Sequence, residues 1–217
     1  NVSHELKTPL QSIIGSAELL ENGLVKPEDQ PRFLSRIHQE ADRLVALIND
    51  ILRLSQLDEG GALPHEQVSV LELAQEAARS LTAQAAAQAV HISVTGTAGT
   101  VFGVRRLLYE IARNLCENAV KYNVPGGSVT VEVAETDRDV ALLVRDTGIG
   151  IPEGDQSRVF ERFYRVDKSH SRAIGGTGLG LSIVKHAVAY HHGTLRLESQ
   201  LGKGTVITVT LPKKPTE

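Results

Sequence analysis

Residues 128–147 read SVTVEVAETDRDVALLVRDT. Apolar side chains fall on every second position, at Val129, Val131 and Val133 and again at Val140, Leu142 and Val144. That period puts them on one face of two strands joined by the charged turn TDRD, an antiparallel hairpin. A second pair of the same kind, GTLRLESQ (193–200) and GTVITVTLP (204–212), surrounds LGKG. Upstream of the first hairpin the period changes. VRRLLYEIARNLCENAVKY (104–122) and SVLELAQEAARSLTAQAAAQ (69–88) read as helices with the short strand VHISVT (90–95) between them, and GLGLSIVKHAVAYHH (178–192) reads as a helix after a glycine-rich loop. Strands and helices in separate runs predict a mixed, mostly antiparallel sheet with helices on one face, an α/β sandwich and not a repeating βαβ unit.

The N-terminal region has a different pattern. Val2, Leu6, Leu10, Ile13, Ile14, Ala17 and Leu20 follow a helical period that stops at ENGLVKPEDQ (21–30), where Gly23 and Pro27 mark a turn. A longer helix begins near KPEDQPRF and carries Phe33, Ile37, Ala41, Leu44, Ile48, Ile51 and Leu54 before Gly60 and Gly61. Two amphipathic helices cannot bury such a seam alone, and a second copy of the hairpin completes a four-helix bundle. The expectation is an α+β chain: a hairpin over 1–60 that forms a homodimer, a linker over 61–67, and the sandwich over 68–217. The alternative is that the sandwich of the same chain covers the stripe.

The chain has 217 residues, a formal charge of -3 and a pI near 6.3. That balance gives no global attraction to nucleic acid or anionic membrane, so a phosphate site has to be built locally. Cys116 is the single cysteine, which excludes an internal disulfide and any CxxC metal site and fits a reducing compartment. No apolar run reaches the length of a membrane span. Because the first residue already lies in a helical pattern, the sequence is expected to be a fragment.

Asn114 and Asn118, four apart on a helix, share a face with Glu110 one turn earlier, and Lys121 and Tyr122 follow. Neutral amide oxygens suit Mg²⁺, which takes few protein ligands and completes its shell with phosphate oxygens and water; Glu110 can hold a metal-bound water and Lys121 offers a point charge to phosphate. Asp146 ends a hydrophobic strand just before Gly148 and Gly150, so a carboxylate able to accept an adenine amine stands beside a glycine wall. Gly176, Gly178 and Gly180 open a helix, where free N–H groups favour phosphate. The spacing is GxGxG with no preceding strand, and LGKGT lacks the upstream glycine of a Walker A loop, so neither familiar nucleotide fold applies.

SHELKTPL (3–10), NLCENAVKYN (114–123), DTGIGI (146–151), FERFYRVD (160–167) and GGTGLGLS (175–182) stand in the order and spacing of the H, N, G1, F and G2 boxes. By these motifs the chain resembles the sensor histidine kinases of two-component systems, over essentially its whole length. The resemblance implies a dimerisation and phosphoacceptor hairpin followed by a GHKL-type ATPase domain that binds ATP and Mg²⁺. It implies His4 as phosphoacceptor, Asn114, Asn118 and Glu110 on the magnesium side, Lys121 and Tyr122 at phosphate or nucleotide, and Asp146 at adenine. Arg162 and Arg165 become phosphate contacts, with Arg165 the better placed, and Gly176, Thr177, Gly178, Leu179 and Gly180 form the glycine box. YRVDKSHSRAIGG (164–176) resembles the ATP lid, and Phe160 and Phe163 are expected to anchor its near end. Two positions depart from the family: Gly103 replaces an acidic residue before the N-box helix, and YNVPGG (122–127) replaces a serine or threonine after the tyrosine.

A neutral imidazole attacks through one nitrogen while a neighbour receives the proton of the other, and Glu5 is adjacent to His4. Glu5 is therefore expected to be the general base, and Thr8, in the family's ExxT pattern, to orient a water for response-regulator phosphatase activity. Pro9 is expected to loosen the helix around His4. His186, His191 and His192 lack metal spacing and are read as helix C-terminal electrostatics. The implied partners are a second copy through 1–60 and the receiver domain of a response regulator, with neither nucleic acid nor membrane contacted by this segment, the cytoplasmic portion of a membrane-anchored sensor. The competing readings are a nucleotide-binding scaffold without phosphotransfer, against which the intact His4, Asn118, Asp146 and glycine box argue, and an ATP-gated machine sharing the cradle, which needs no H box.

Overall fold

The computed structural model describes residues 2–58, 63–166 and 176–214. Helix α1 (Val2–Glu21) and helix α2 (Gln30–Asp58) form the N-terminal hairpin. α1 runs unbroken through Pro9, which is buried. The ring removes the N–H that the Glu5 carbonyl would have accepted, while the Thr8 hydroxyl donates to the His4 carbonyl at 3.1 Å. Gly23, at φ +65°, turns the chain, and a 3₁₀ turn over Pro27–Asp29 starts the return, with proline at its first position. Arg36 Nε donates to Ser12 Oγ at 3.2 Å, tying the two helices together.

The second unit begins earlier than the sequence suggests. Strand β1 (Glu66–Ser69) pairs antiparallel with β3 (Thr100–Gly103), so Glu66 and Gln67, expected in the linker, lie in a two-stranded sheet that alternation over four residues is too short to reveal. The helix expected over 69–88 is two helices, α3 (Val70–Ser80) and α4 (Thr82–Ala87). Ser69 Oγ caps α3 by accepting from Glu72 N–H. The break at Leu81 follows from flanking hydroxyls: Ser80 Oγ donates to Ala77 O and Thr82 Oγ1 to Arg79 O, competing for carbonyls that the helix would use.

Strands β2 (His91–Gly96), β4 (Ser128–Glu135), β5 (Asp139–Asp146), β6 (Thr194–Gln200) and β7 (Gly204–Pro212) form one sheet in the order β2-β4-β5-β7-β6. Only the β2–β4 pair is parallel; the rest are antiparallel, as the hairpin patterns required. Val131 faces Val144 and Val133 faces Leu142 across the β4–β5 ladder. Their side chains are fully buried, whereas Thr130 and Glu132 between them are not. Helices α3, α5 (Arg105–Lys121) and α7 (Gly180–Tyr190) cover the buried face, supplying Leu73, Ile111, Leu115, Val120, Val184 and Val188 to one continuous core with the strand valines. A short helix, α6 (Glu153–Gln156), lies between β5 and α7. Cys116 sits in that core with its thiol pushed up to about 12 by burial, a small hydrophobe and not a nucleophile.

The two units touch. Leu47 and Leu54 of α2 are buried with Leu179 and Ile183 of the second unit, flanked by Leu6, Ile51 and Phe163. Part of the α2 stripe is thus covered within the chain, the alternative weighed from the sequence. Leu10, Ile14, Leu34, Val45, Ile48 and Leu52 stay exposed.

Candidate functional site

Helix α5 is apolar along the face that meets the sheet and polar along the other, and its polar face carries Glu110, Asn114, Asn118 and Lys121 in successive turns. Asn114 Nδ2 donates to the Glu110 carbonyl at 2.8 Å and to its Oε2 at 3.3 Å, which leaves the amide oxygen of Asn114 for another partner. That oxygen meets the glycine loop: a Cβ added to Gly180 would lie 2.8 Å from Asn114 Oδ1. At the other end of the helix, a Cβ on Gly176 would lie 3.0 Å from Lys121 Nζ and 3.3 Å from the Tyr122 hydroxyl. The glycine box therefore lies along the polar face of α5 at van der Waals distance.

The strand-end carboxylate comes to the same place. Asp146 Oδ1 accepts from Gly148 N–H at 2.8 Å and from Thr205 N–H at 3.2 Å. Burial holds its carboxyl above the usual carboxylate range, against the pull of those two backbone bonds. Both of these bonds fall on Oδ1, which leaves Oδ2 for another partner. Gly148 has no room for a side chain, since its Cβ would lie 2.2 Å from the Tyr122 carbonyl, and Gly150, at φ +68°, passes as closely to Gln200. Thr205 is a contributor that no motif indicated; its backbone N–H bonds regardless of side chain, so the sequence carries no signal for it.

Burial lowers the Lys121 pKa, helped by Arg165 and Arg43 and opposed by Glu117, and burial raises that of Tyr122, with Arg165 acting the other way. Arg165 thus acts on the Lys121 and Tyr122 end, whereas Arg162 Nη2 is bonded to His186 Nε2 at 3.1 Å. Leu179 is fully buried in the cluster with α2, and Leu179 N–H donates to Thr177 Oγ1 at 3.3 Å. Thr177 itself donates to Asp50 Oδ2 of α2 at 2.8 Å. Phe163 takes φ +65° and its N–H donates to Gly178 O, so it packs at the junction with α2 and not in the main core. Lid residues 167–175 lie outside the described residues.

His4 is exposed on α1, Glu5 beside it is half-buried, and Thr8 follows one turn on. The loop after Tyr122 is closed by Asn123. Its Nδ2 donates to Ala119 O and Ser128 O at 3.0 Å each, and its Oδ1 accepts from Val124 N–H, replacing the hydroxyl residue of the family pattern. Glu110, Asn114 and Asn118 present one carboxylate and amide oxygens, and among the described residues no cluster of three His, Cys, Asp or Glu side chains could hold a metal without a ligand's help. That donor set fits Mg²⁺ carried in on phosphate oxygens.

The start of α5 is fixed by His191, which corrects the electrostatic reading of that residue. Its ring is buried, Nδ1–H donates to Ala187 O at 2.7 Å, and Nε2 accepts from Val104 N–H at 3.0 Å. A Cβ on Gly103 would lie 2.6 Å from the imidazole Cδ2, so the ring occupies the room that an acidic residue would take there. Burial lowers the His191 pKa below the ordinary imidazole value of about 6.5. Between those two values the unfolded chain binds more protons than the folded one, so the stabilisation is full above about pH 6.5 and is lost as pH falls through the lowered value. The unfolding free energy from urea titration is expected to drop between pH 7.5 and pH 5.5 by up to about 1.4 kcal/mol per pH unit across the window. His191→Gln, which keeps an acceptor and does not titrate, should flatten this component.

Comparison with known proteins matches this geometry. Residues 103–215 match the family described as histidine kinase-, DNA gyrase B- and HSP90-like ATPase, and residues 1–60 match the His Kinase A (phospho-acceptor) domain. The sensor-like histidine kinase SenX3 of Mycolicibacterium smegmatis is 41% identical over 219 residues, covering 99% of this chain and 56% of that protein. The chain spans about half the length of the first relatives that it matches. Among solved structures, full-length ShkA in complex with AMPPNP is 28% identical with a TM-score of 0.72, covering 99% of this chain and 45% of that one. Histidine kinase ThkA in complex with response regulator protein TrrA shares the fold at a TM-score of 0.78 and 22% identity, over 99% and 60% of the two chains. A helical hairpin bearing the H box, followed by an ATPase sandwich whose N, G1 and G2 boxes lie side by side, is the arrangement of one family, and this chain belongs to the two-component sensor histidine kinases.

Proposed function

We propose that the chain is the catalytic core of a histidine kinase: it transfers the γ-phosphoryl group of ATP to His4 and then to an aspartate of a response regulator. The observation that carries this reading is the contact of three separate segments, with Gly180 on Asn114, Gly176 on Lys121 and Tyr122, and Gly148 between Tyr122 and Asp146. Asp146 accepts the adenine amine. Glu110, Asn114 and Asn118 would hold a magnesium ion, which would supply positive charge beside the phosphates. Lys121, Tyr122, Arg165 and the backbone from Gly176 to Gly180 position the phosphates. Arg162, bonded to His186 here, is a second candidate contact that would have to exchange that bond.

The His4 imidazole forms the new P–N bond as the bond to the β-phosphate oxygen breaks and ADP leaves. Glu5 receives the proton of the other ring nitrogen. Leu6, two residues from His4, packs with Leu179 and Ile183 at the end of the glycine box, which brings α1 to the nucleotide side of the second unit. The Thr8 hydroxyl, now on the His4 carbonyl, serves the reverse reaction by orienting water toward the regulator's phosphoaspartate. The exposed apolar side chains of α1 and α2 are covered by a second copy, giving a four-helix bundle through residues 1–60. The partner receiver domain docks on that bundle, and the whole protein places this core on the cytoplasmic side of a membrane-anchored sensor. Among the described residues no helix is long and apolar enough to cross a membrane.

The test is incubation of the chain with γ-labelled ATP and Mg²⁺. Label is expected on the protein in a form that is lost in acid and retained in base, and it should move to a receiver domain supplied afterwards. An acid-stable label, or none, refutes the reading.

A further inference from the structure

One group placed on the magnesium side, Glu110, and one in the glycine box, Thr177, are already bonded to side chains of α2. Arg53 Nη1 donates to Glu110 Oε2 at 3.3 Å. Glu110 is buried at 8% exposure, so this guanidinium supplies positive charge to a carboxylate that water barely reaches. One turn earlier on the same helix, Asp50 Oδ2 accepts from Thr177 Oγ1 at 2.8 Å, while its other oxygen lies 3.6 Å from Arg53. Leu47 and Leu54, which flank Asp50 and Arg53 along α2, pack in one cluster with Leu179 and Ile183. The charged groups that bear on Asp50 include Arg53 on its own helix and Arg113 and Glu117 on α5, so the contact spans the polar face of the nucleotide helix.

A cation held at Glu110 would share this one carboxylate with the Arg53 guanidinium. Two positive charges cannot share one carboxylate in a confined, poorly hydrated place without strong repulsion. We propose that Arg53 and Asp50 form a latch that is mutually exclusive with the metal-bound nucleotide: α2 stays docked on the glycine box while Arg53 neutralises Glu110, and Mg²⁺–nucleotide binding expels Arg53 and frees the catalytic unit from the hairpin. The inference rests on the magnesium-side role of Glu110 given above. By linkage the antagonism works in both directions with one factor, so docking weakens metal–nucleotide binding as much as metal–nucleotide weakens docking. Nucleotide without metal does not compete for Glu110 and leaves the latch closed. The device thereby makes release of the catalytic unit depend on the complete substrate, metal included.

The experiment is equilibrium binding of AMPPNP to the full chain, with Mg²⁺ and again with EDTA, for the wild type, Arg53→Met and Arg53→Lys. In Mg²⁺, Arg53→Met is expected to bind about 5- to 20-fold more tightly than wild type, within the ordinary range of coupling between sites. Arg53→Lys, which restores the charge, should return to within about twofold, and in EDTA the three should agree within about twofold. A second readout is the distance between spin labels at Gln39→Cys on α2 and Glu132→Cys on β4, both exposed positions, in chains diluted with unlabelled protein. Mg²⁺–AMPPNP should lengthen or broaden that distance, and AMPPNP in EDTA should not. Equal affinity of wild type and Arg53→Met in Mg²⁺, or a distance that ignores Mg²⁺–AMPPNP, overturns the latch while nucleotide binding itself leaves the kinase reading in place. Absence of AMPPNP binding by every chain overturns both.

Discussion

In His4→Gln the acid-labile label is expected to fall to background, a loss of at least about 10³-fold, consistent with removal of the only nucleophile in a covalent step. Glutamine keeps the length and polarity of the side chain but offers an amide nitrogen whose lone pair is delocalised, so no P–N bond forms. His4 is exposed on α1 and glutamine is a good helix former, so the substitution should change stability by no more than about 0.5 kcal/mol. AMPPNP affinity should be unchanged, because the proposed nucleotide site, made of α5, the β5 end and the glycine box, does not include His4. This pairing of lost transfer with intact binding separates chemistry from folding. Label that persists on His4→Gln would move the phosphoacceptor elsewhere and dissolve the link between the hairpin and the sandwich.

Asp146→Asn is expected to weaken nucleotide binding by about 100-fold, equivalent to about 2.7 kcal/mol. The asparagine oxygen can still accept from Gly148 and Thr205 N–H, which Asp146 Oδ1 does now. The second position then becomes an NH₂ group and points a donor at the donor of the adenine ring. A half-buried pocket that loses an acceptor in this way forfeits a charged hydrogen bond and leaves two donors face to face. Because the two backbone bonds survive, the thermal midpoint should move by only a few degrees. Discrimination against guanine nucleotides should weaken together with the affinity for adenine. Unaltered affinity in this variant would displace the base from the β5 end.

The sheet and the hairpin were legible in the chain because each depends on a local period. The alternation of Val129, Val131 and Val133 with polar neighbours declares a half-buried strand, and the spacing from Phe33 to Leu54 declares a helix that needs a partner. The boxes were legible for a related reason. A glycine whose added Cβ would lie 2.8 Å from Asn114 Oδ1, or 2.2 Å from the Tyr122 carbonyl, leaves no room for a side chain, so packing writes itself into identity. Less was readable where the signal is a backbone atom or a short element. β1 and β3 have four residues each, and the division of the helix at Leu81 comes from two hydroxyls competing for carbonyls.

By itself the sequence determined the long strands and helices, the apolar stripe of the N-terminal helices, and the polar row from Glu110 to Lys121 on one helix. Only the tertiary structure decided that His191, expected to be a helix-end charge, is a neutral acceptor for Val104, 87 residues away. It alone decided that Arg53 meets Glu110 across 57 residues and that Asp50 meets Thr177 across 127. The reason is the range of the forces involved. Amphipathic period is set by neighbours within two turns and is written locally, whereas a single hydrogen bond or ion pair between distant elements leaves no periodic trace and exists only once the core has fixed where those elements lie.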